Sequence, residues 1–327
     1  MNAARILTTL ALAILPIAMP MSLGRASSPQ KAVPPPGQGS EAACAPGWRL
    51  PHGDATHTLM VDGTPRTYRV HFPSTYRSGD PLPVILNFHG GGVNAEAQAM
   101  LSGMDDAANR LGFLAVYPEG FPGIIEKIET WNAGTCCGRA VRMNADDVGF
   151  VARVIDDLET RYCVDAKRIY AAGMSNGAMM AYRIACELSH RIAAVAAVAG
   201  GMQTQSCRPA RPVPILHFHG TADSRVPFAG GRTLMGTLTS VENTIGFWRE
   251  HDRCSSTPRI TYRKGDVTCN TYASCASGAE VALCLVEGGG HTWPGGTAMP
   301  LRGKTTRDIS ATDTMVDFFL RHPLQPR

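Results

Sequence analysis

Charge is scarce in this 327-residue chain: Lys and Arg number 31, Asp and Glu 27, and charged residues make up 18%. No long basic run occurs, so composition gives no footing to nucleic-acid or polyanion binding, and no nucleic-acid partner is expected. CxxC pairs and an HExxH motif are also missing, which removes the commonest zinc patterns; neither a metal nor an organic cofactor is expected. Past the first two dozen residues, no apolar run approaches the roughly 20 residues that cross a bilayer. There is no internal repeat.

What is present begins with an export signal. Met1 to Ala26 carries one early Arg5, an apolar run from Ile6 to Leu23 and a small-residue exit, Gly24-Arg25-Ala26; this predicts a removed signal peptide, not an anchor, because Pro16 and Pro20 break a membrane helix. Cleavage takes away Arg5 and Arg25 and lowers the formal charge from +4 to about +2. Residues 27–41, rich in Pro, Gly, Ser and Gln, read as a disordered lead-in. From residue 42 about 285 residues remain, a usual size for a single α/β catalytic domain. All ten cysteines lie in that part, an even number that suits disulfides in a secreted or periplasmic protein. Vicinal Cys136 and Cys137 are expected to seek distant partners.

Periodicity then sets out the elements. Thr56 to Val61 and Arg66 to Phe72 alternate around Asp62-Gly63 and predict a hairpin. The apolar run Val84 to Phe88 predicts a buried parallel strand ending in His89-Gly90-Gly91-Gly92. Asn94 suits the cap of one helix carrying Met100, Leu101, Met104, Ala108 and Leu111. A strand follows at Phe113 to Tyr117. Residues 118–144 form a long connection with two cysteines and Trp131; such loops are functional or pinned by disulfides. Asp146-Asp147 caps or charges a helix through Leu158. Strands at 192–199, 213–219 and 281–287, a helix near 244–251 and one opened by Ser310 complete an α/β pattern. Alternating strands and helices mean a mostly parallel central sheet with helices on both faces.

Gly173-Met174-Ser175-Asn176-Gly177 stands at a predicted strand-to-helix junction. A serine between two glycines there fits a sharp turn that lifts Ser175 Oγ out of the sheet. Acyl transfer also needs an acid and an imidazole at later strand ends, and Asp223 and His291 occur in that order. Asp223 would hold the His291 ring, and His291 would take the Ser175 proton. Two backbone N–H groups would receive the developing negative oxygen: that of Asn176, and that of Gly91 or Gly92 in the early glycine turn. Trp131 and Trp293 fit either an apolar wall by the scissile bond or plugs on the core. His217 and His219 fit packing and hydrogen bonding better than a metal pattern. Arg225, two residues past Asp223, could meet an anionic substrate.

These segments together, His89 to Gly92, Trp131 to Gly134 with Cys136-Cys137-Gly138, Asp146 to Phe150, Gly173 to Ala178, His217 to Asp223 and Gly288 to Gly296, closely resemble the secreted polyhydroxybutyrate depolymerase-like and feruloyl esterase family. The likeness runs in order from about Arg66 to Trp293. It implies an α/β-hydrolase fold, hydrolysis of carboxylic esters in a small molecule or polymer, and the triad Ser175, Asp223 and His291. It also implies that Cys163 pairs with one of the vicinal cysteines and Cys186 with Cys207; the partners of Cys44, Cys254, Cys269, Cys275 and Cys284 stay open. The chain ends soon after its last predicted helix, where many extracellular polymer-degrading relatives add a binding domain, so soluble oligomers or plant-derived esters are the expected substrates. Two other readings are an amide hydrolase acting on a polyacid such as poly(aspartic acid), and a non-catalytic binding protein on the same fold. Oligomeric state is not legible.

Overall fold

The computed structural model describes Cys44 and residues 51–76, 79–123 and 128–325; the expected signal peptide and lead-in lie outside these. In chain order the elements are β1 (Gly53–Val61), β2 (Thr64–Phe72), β3 (Leu82–Phe88), α1 (Ala95–Ser102), α2 (Met104–Leu111), β4 (Leu114–Pro118), β5 (Phe121–Pro122), β6 (Glu129–Thr130), α3 (Gly138–Arg142), α4 (Asp147–Arg161), β7 (Val164–Met174) and α5 (Asn176–Glu187). They continue with β8 (Val195–Val198), β9 (Ile215–Gly220), β10 (Gly231–Thr233), β11 (Gly236–Leu238), α6 (Val241–His251), β12 (Arg259–Lys264), β13 (Val267–Tyr272), β14 (Val281–Val286) and α7 (Ala311–Leu320).

Ten strands form one sheet in the order β1-β2-β4-β3-β7-β8-β9-β14-β13-β12. Its middle, from β4 to β14, is parallel; β1-β2 at one edge and β13-β12 at the other run antiparallel to their neighbours. Every residue of β3, β4, β8 and β9 is buried, as expected of strands covered on both faces. Alternation divides them between two cores. Val84, Leu86 and Phe88 of β3 join Phe150, Val154 and Leu158 of α4 and Met179 and Tyr182 of α5. Ile85 points the other way, with Met104 and Ala108 of α2 and Met315 and Phe319 of α7.

Local signals account for most boundaries. Asp62 and Gly63 both take positive φ, 48° and 75°, as a two-residue hairpin turn requires. Asn94 Oδ1 accepts the Ala97 N–H at the start of α1. The single helix expected after it is two: Gly103, at φ 61°, ends α1 and lets α2 start in a new direction. Met100 of α1 is exposed. Asp146 and Ser310 cap α4 and α7 by accepting the Gly149 and Asp313 N–H groups. The β12–β13 hairpin gave no clear signal, because β12 is mostly exposed and charged.

Five disulfides join Cys44–Cys163, Cys136–Cys137, Cys186–Cys207, Cys254–Cys275 and Cys269–Cys284. Two expectations are corrected. Cys163 pairs with Cys44, and the vicinal cysteines pair with each other, their Cα atoms 3.1 Å apart across a cis peptide.

A buried ion pair anchors the long connection after β4 at Glu119 and Asn132. Arg66 of β2 donates to Asp147 Oδ1 at 2.7 Å, with both side chains at most 3% exposed, and also to the Glu119 carbonyl. Asp147 Oδ2 accepts the Asn132 N–H at 2.7 Å. Burial raises the Asp147 carboxyl above its ordinary range, against the pull of Arg66. Replacing Arg66 with Met should therefore strand that charge and cost about 3–5 kcal/mol. Urea unfolding of the oxidised protein measures this; an unchanged midpoint would show that the pair carries no weight.

Candidate active site

Ser175 sits between the end of β7 and the start of α5 at φ 57° and ψ −121°. Such a backbone is strained for any residue with a side chain, and it survives only where the surroundings enforce it. Three glycines supply the room. A Cβ on Gly173 would lie 2.5 Å from the Gly177 carbonyl carbon, one on Gly177 2.2 Å from the Phe88 oxygen, and one on Gly200 2.3 Å from the Ser175 oxygen. The first two follow from the pentapeptide. Gly200 does not, because it comes from the turn after β8.

Asp223 follows β9, and its Oδ1 accepts the N–H groups of Arg225 and Val226 at 2.8 and 2.9 Å. Its Oδ2 lies 2.7 Å from His291 Nδ1, in the turn after β14. Burial alone would raise the Asp223 carboxyl; the hydrogen bond and charge of His291, with the Val226 N–H, outweigh it and hold the group below its ordinary value. Both residues are buried. His291 and Ser175 line one cavity of about 240 Å³, together with Gly90, Gly91, Val93, Met100, Leu101, Met174, Met299 and Arg302.

The glycine turn after β3 forms another side of that cavity. Gly92 is corrected as a donor: its N–H is spent on the Glu129 carbonyl at 2.8 Å. Gly91 lines the cavity, and a Cβ built on it would stand 3.5 Å from Asn176 Cβ. Asn176 is the first residue of α5, where helix geometry leaves the N–H without an intrahelical partner. His89, fully buried, stands 2.8 Å through Nδ1 from the Gly90 carbonyl and accepts the Gly120 N–H through Nε2 at 2.9 Å. The carbonyl can only accept, so the proton is on Nδ1.

Neither tryptophan is a wall of the cavity, because both are completely buried and absent from its lining. Trp131 braces the elbow from behind. Its N–H donates to Asn176 Oδ1 at 2.7 Å, Asn176 Nδ2 donates to its carbonyl, and its indole N–H donates to the His89 carbonyl. Trp293 packs in the core and donates to Thr312 Oγ1. Periodicity could not have found the Asn176 side-chain clasp, which spans 45 residues of sequence.

Known proteins resemble this chain. A family profile for phospholipases and carboxylesterases matches residues 147–259. The "Putative esterase NocK" of Nocardia uniformis subsp. tsuyamanensis is 34% identical over 94% of this chain and 97% of its own length. Feruloyl esterase B of Piromyces equi is 33% identical over 68% of this chain, which spans only 42% of that longer protein. The chain belongs to the esterase family of NocK, among the α/β hydrolases. It is a carboxylic ester hydrolase. An acetyl xylan esterase from Aspergillus awamori, at 13% identity and a TM-score of 0.56 over 81% of this chain, shares the fold.

Behind Asp223 the esterase carries a directed chain of hydrogen bonds. His219 Nε2 donates to the Val226 carbonyl at 2.8 Å, so its Nδ1 accepts from His217 Nε2, and His217 Nδ1 accepts from the Tyr182 hydroxyl. Burial lowers both histidine pKa values, which keeps the pair neutral. They brace the turn that carries Asp223, as packing residues. Two other groups bring His and carboxylate atoms within reach of one another, Asp54-His71-Asp105 and His89-Glu119-Glu129. Arg69 already pairs with both aspartates of the first, and the Gly120 N–H takes the His89 lone pair in the second.

Glu119 accepts the Ala95 N–H at 2.9 Å. Its carboxyl is pushed up to about 7, by burial first and then by the hydrogen bond and charge of Glu129. A carboxyl that binds its proton more tightly folded than unfolded stabilises the fold at low pH, and that contribution fades as pH rises through the folded value. The melting temperature of the wild type should thus fall relative to Glu119→Gln between pH 4.5 and about 7. A gap that stays constant with pH would contradict the raised Glu119 carboxyl.

Proposed function

We propose that this esterase works through an acyl-Ser175 intermediate, with His291 as base and Asp223 as the residue that orients it. Ser175 Oγ attacks the ester carbonyl carbon while His291 takes its proton, and the carbonyl oxygen gathers negative charge between the Asn176 and Gly91 N–H groups. The C–O bond to the alcohol then breaks, and the alcohol leaves with the proton from His291. Water repeats the sequence, its proton passing to His291, and releases the acid and free Ser175. The observation that carries this reading is the 2.7 Å contact of Asp223 with His291, which shares a cavity with a serine held in an elbow conformation.

The apolar lining fits hydroxyalkanoate oligomers or feruloyl-type esters, and the names of the curated relatives favour the latter. Disulfides suit an oxidising compartment, and with the apolar leader they support export to the periplasm or beyond, followed by removal of residues 1–26. The catalytic unit would be one domain from residue 42 onward. Among the described residues no helix is long and apolar enough to cross a membrane.

Ser175→Ala should lower kcat on 4-nitrophenyl butyrate by about four to six orders of magnitude, and Asp223→Asn by about four. Equal rates for wild type and Ser175→Ala would remove the serine from the mechanism. The same proteins incubated with hydroxybutyrate oligomers, methyl ferulate and poly(aspartate) assign the substrate; cleavage of poly(aspartate) alone would replace ester by amide chemistry.

A further inference from the structure

Apart from Ser175 and His291, the side chains lining their shared cavity are apolar except for Thr297 and Arg302. Met100, Leu101, Met174 and Met299 are among the apolar residues of its wall, and Arg302 is the one permanently charged side chain in the lining. Arg302 is half-buried, and among the described residues no carboxylate lies within ion-pair distance of its guanidinium. Its neighbourhood adds a second cation. Arg225, exposed and equally without an acidic partner, follows Asp223 by two residues and adds like charge to Arg302; burial and then this like charge pull the Arg302 pKa below its ordinary value. The carboxylate whose charge also reaches Arg302 is Asp223, and both its oxygens are taken by His291 and two backbone N–H groups.

The backbone of Arg302, from which its guanidinium extends, is fixed relative to the reacting groups. Its carbonyl accepts the His291 N–H at 2.7 Å, and the adjoining Gly290 N–H donates to the Lys304 carbonyl. A Cβ on Gly290 would stand 2.2 Å from the Arg302 oxygen, so only glycine allows this approach. A solvated arginine on a free loop would show no such latch. Leaving a guanidinium unpaired against an apolar wall is unfavourable, and an arriving anion removes the cost.

We propose that Arg302, assisted by Arg225, binds a free carboxylate on the substrate, so that this esterase prefers esters bearing an anionic group a few bonds from the scissile carbonyl. The proposal rests on the assignment of Ser175 as nucleophile in this cavity. Two substrate chemistries meet it: a half-ester of a dicarboxylic acid, with the charge on the acyl side, and a hydroxy-acid oligomer cut near its acid end, with the charge on the alcohol side. In either, the planar guanidinium can take both carboxylate oxygens.

The test measures kcat/KM for wild type, Arg302→Gln and Arg302→Lys on two matched pairs. The acyl-side pair is 4-nitrophenyl hydrogen glutarate against 4-nitrophenyl valerate. The alcohol-side pair is the 3-hydroxybutyrate dimer as free acid against its terminal carboxamide. For at least one pair, Arg302→Gln should lower the charged-to-neutral ratio about tenfold, the strength of a charge-assisted contact, and Arg302→Lys should restore part of it. Added salt should lower the wild-type ratio as well. The pair that responds tells which side carries the charge. Ratios identical in wild type and Arg302→Gln for both pairs overturn the proposal. Because each ratio compares two substrates on one protein, a general loss of folded enzyme does not imitate the effect. Turnover of the neutral esters by wild type and its loss in Ser175→Ala test the Ser175 assignment separately.

Discussion

One backbone conformation organises this molecule: Ser175 held at φ 57° between a strand and a helix. Such a conformation costs on the order of 1–3 kcal/mol at a non-glycine residue and must be enforced from outside. Here the enforcement is steric closeness. The elbow is wedged among the Phe88 carbonyl, Gly177 and the turn at Gly200, with separations that exclude even one methyl group at three positions. Those neighbours belong to β3, the first turn of α5 and the turn after β8, all set on central strands of a sheet buried on both faces. The core on each side therefore does more than stabilise the chain; it fixes the place where Ser175 is presented.

A second set of polar contacts aligns what surrounds the elbow. Arg66 and Asp147 tie β2 to α4 and, through the Asn132 N–H, to the long 118–144 connection. That connection presents Trp131, whose backbone clasps the Asn176 side chain and whose indole N–H holds the His89 carbonyl. The two proposed oxyanion donors, Asn176 and Gly91, are thus referred to one buried scaffold. On the opposite side, Tyr182, His217 and His219 hold the Val226 carbonyl and so the turn of Asp223. Fixing donors before the reaction begins is what makes such dipoles effective, because little reorganisation is left for the transition state.

The sequence was most legible where chemistry and local geometry coincide. Ser175, Asp223 and His291 each follow a short apolar strand, and two of the three glycines that free the elbow flank the serine. Asn94, Asp146 and Ser310 could be read as caps because a cap acts within three residues. Long-range pairings were not readable. Arg66 meets Asp147 across 81 positions, and nothing periodic marks the match. Trp131 and Trp293 suited either of two environments, and burial, a tertiary property, decided for the core. Gly92 satisfied the glycine-turn pattern, but only the fold shows that Glu129 takes its N–H. Nor could the pairing of Cys163 with Cys44, across 119 positions, be read from the residues.

The central claim is that the fold, and not serine chemistry alone, makes Ser175 reactive. Treating the native protein with a fluorophosphonate and mapping the adduct by peptide mass spectrometry tests it most directly. The account predicts stoichiometric labelling confined to the peptide containing Ser175, absent when the protein is first unfolded in urea. Labelling that is equal in native and unfolded protein, or that falls on another serine, would contradict it.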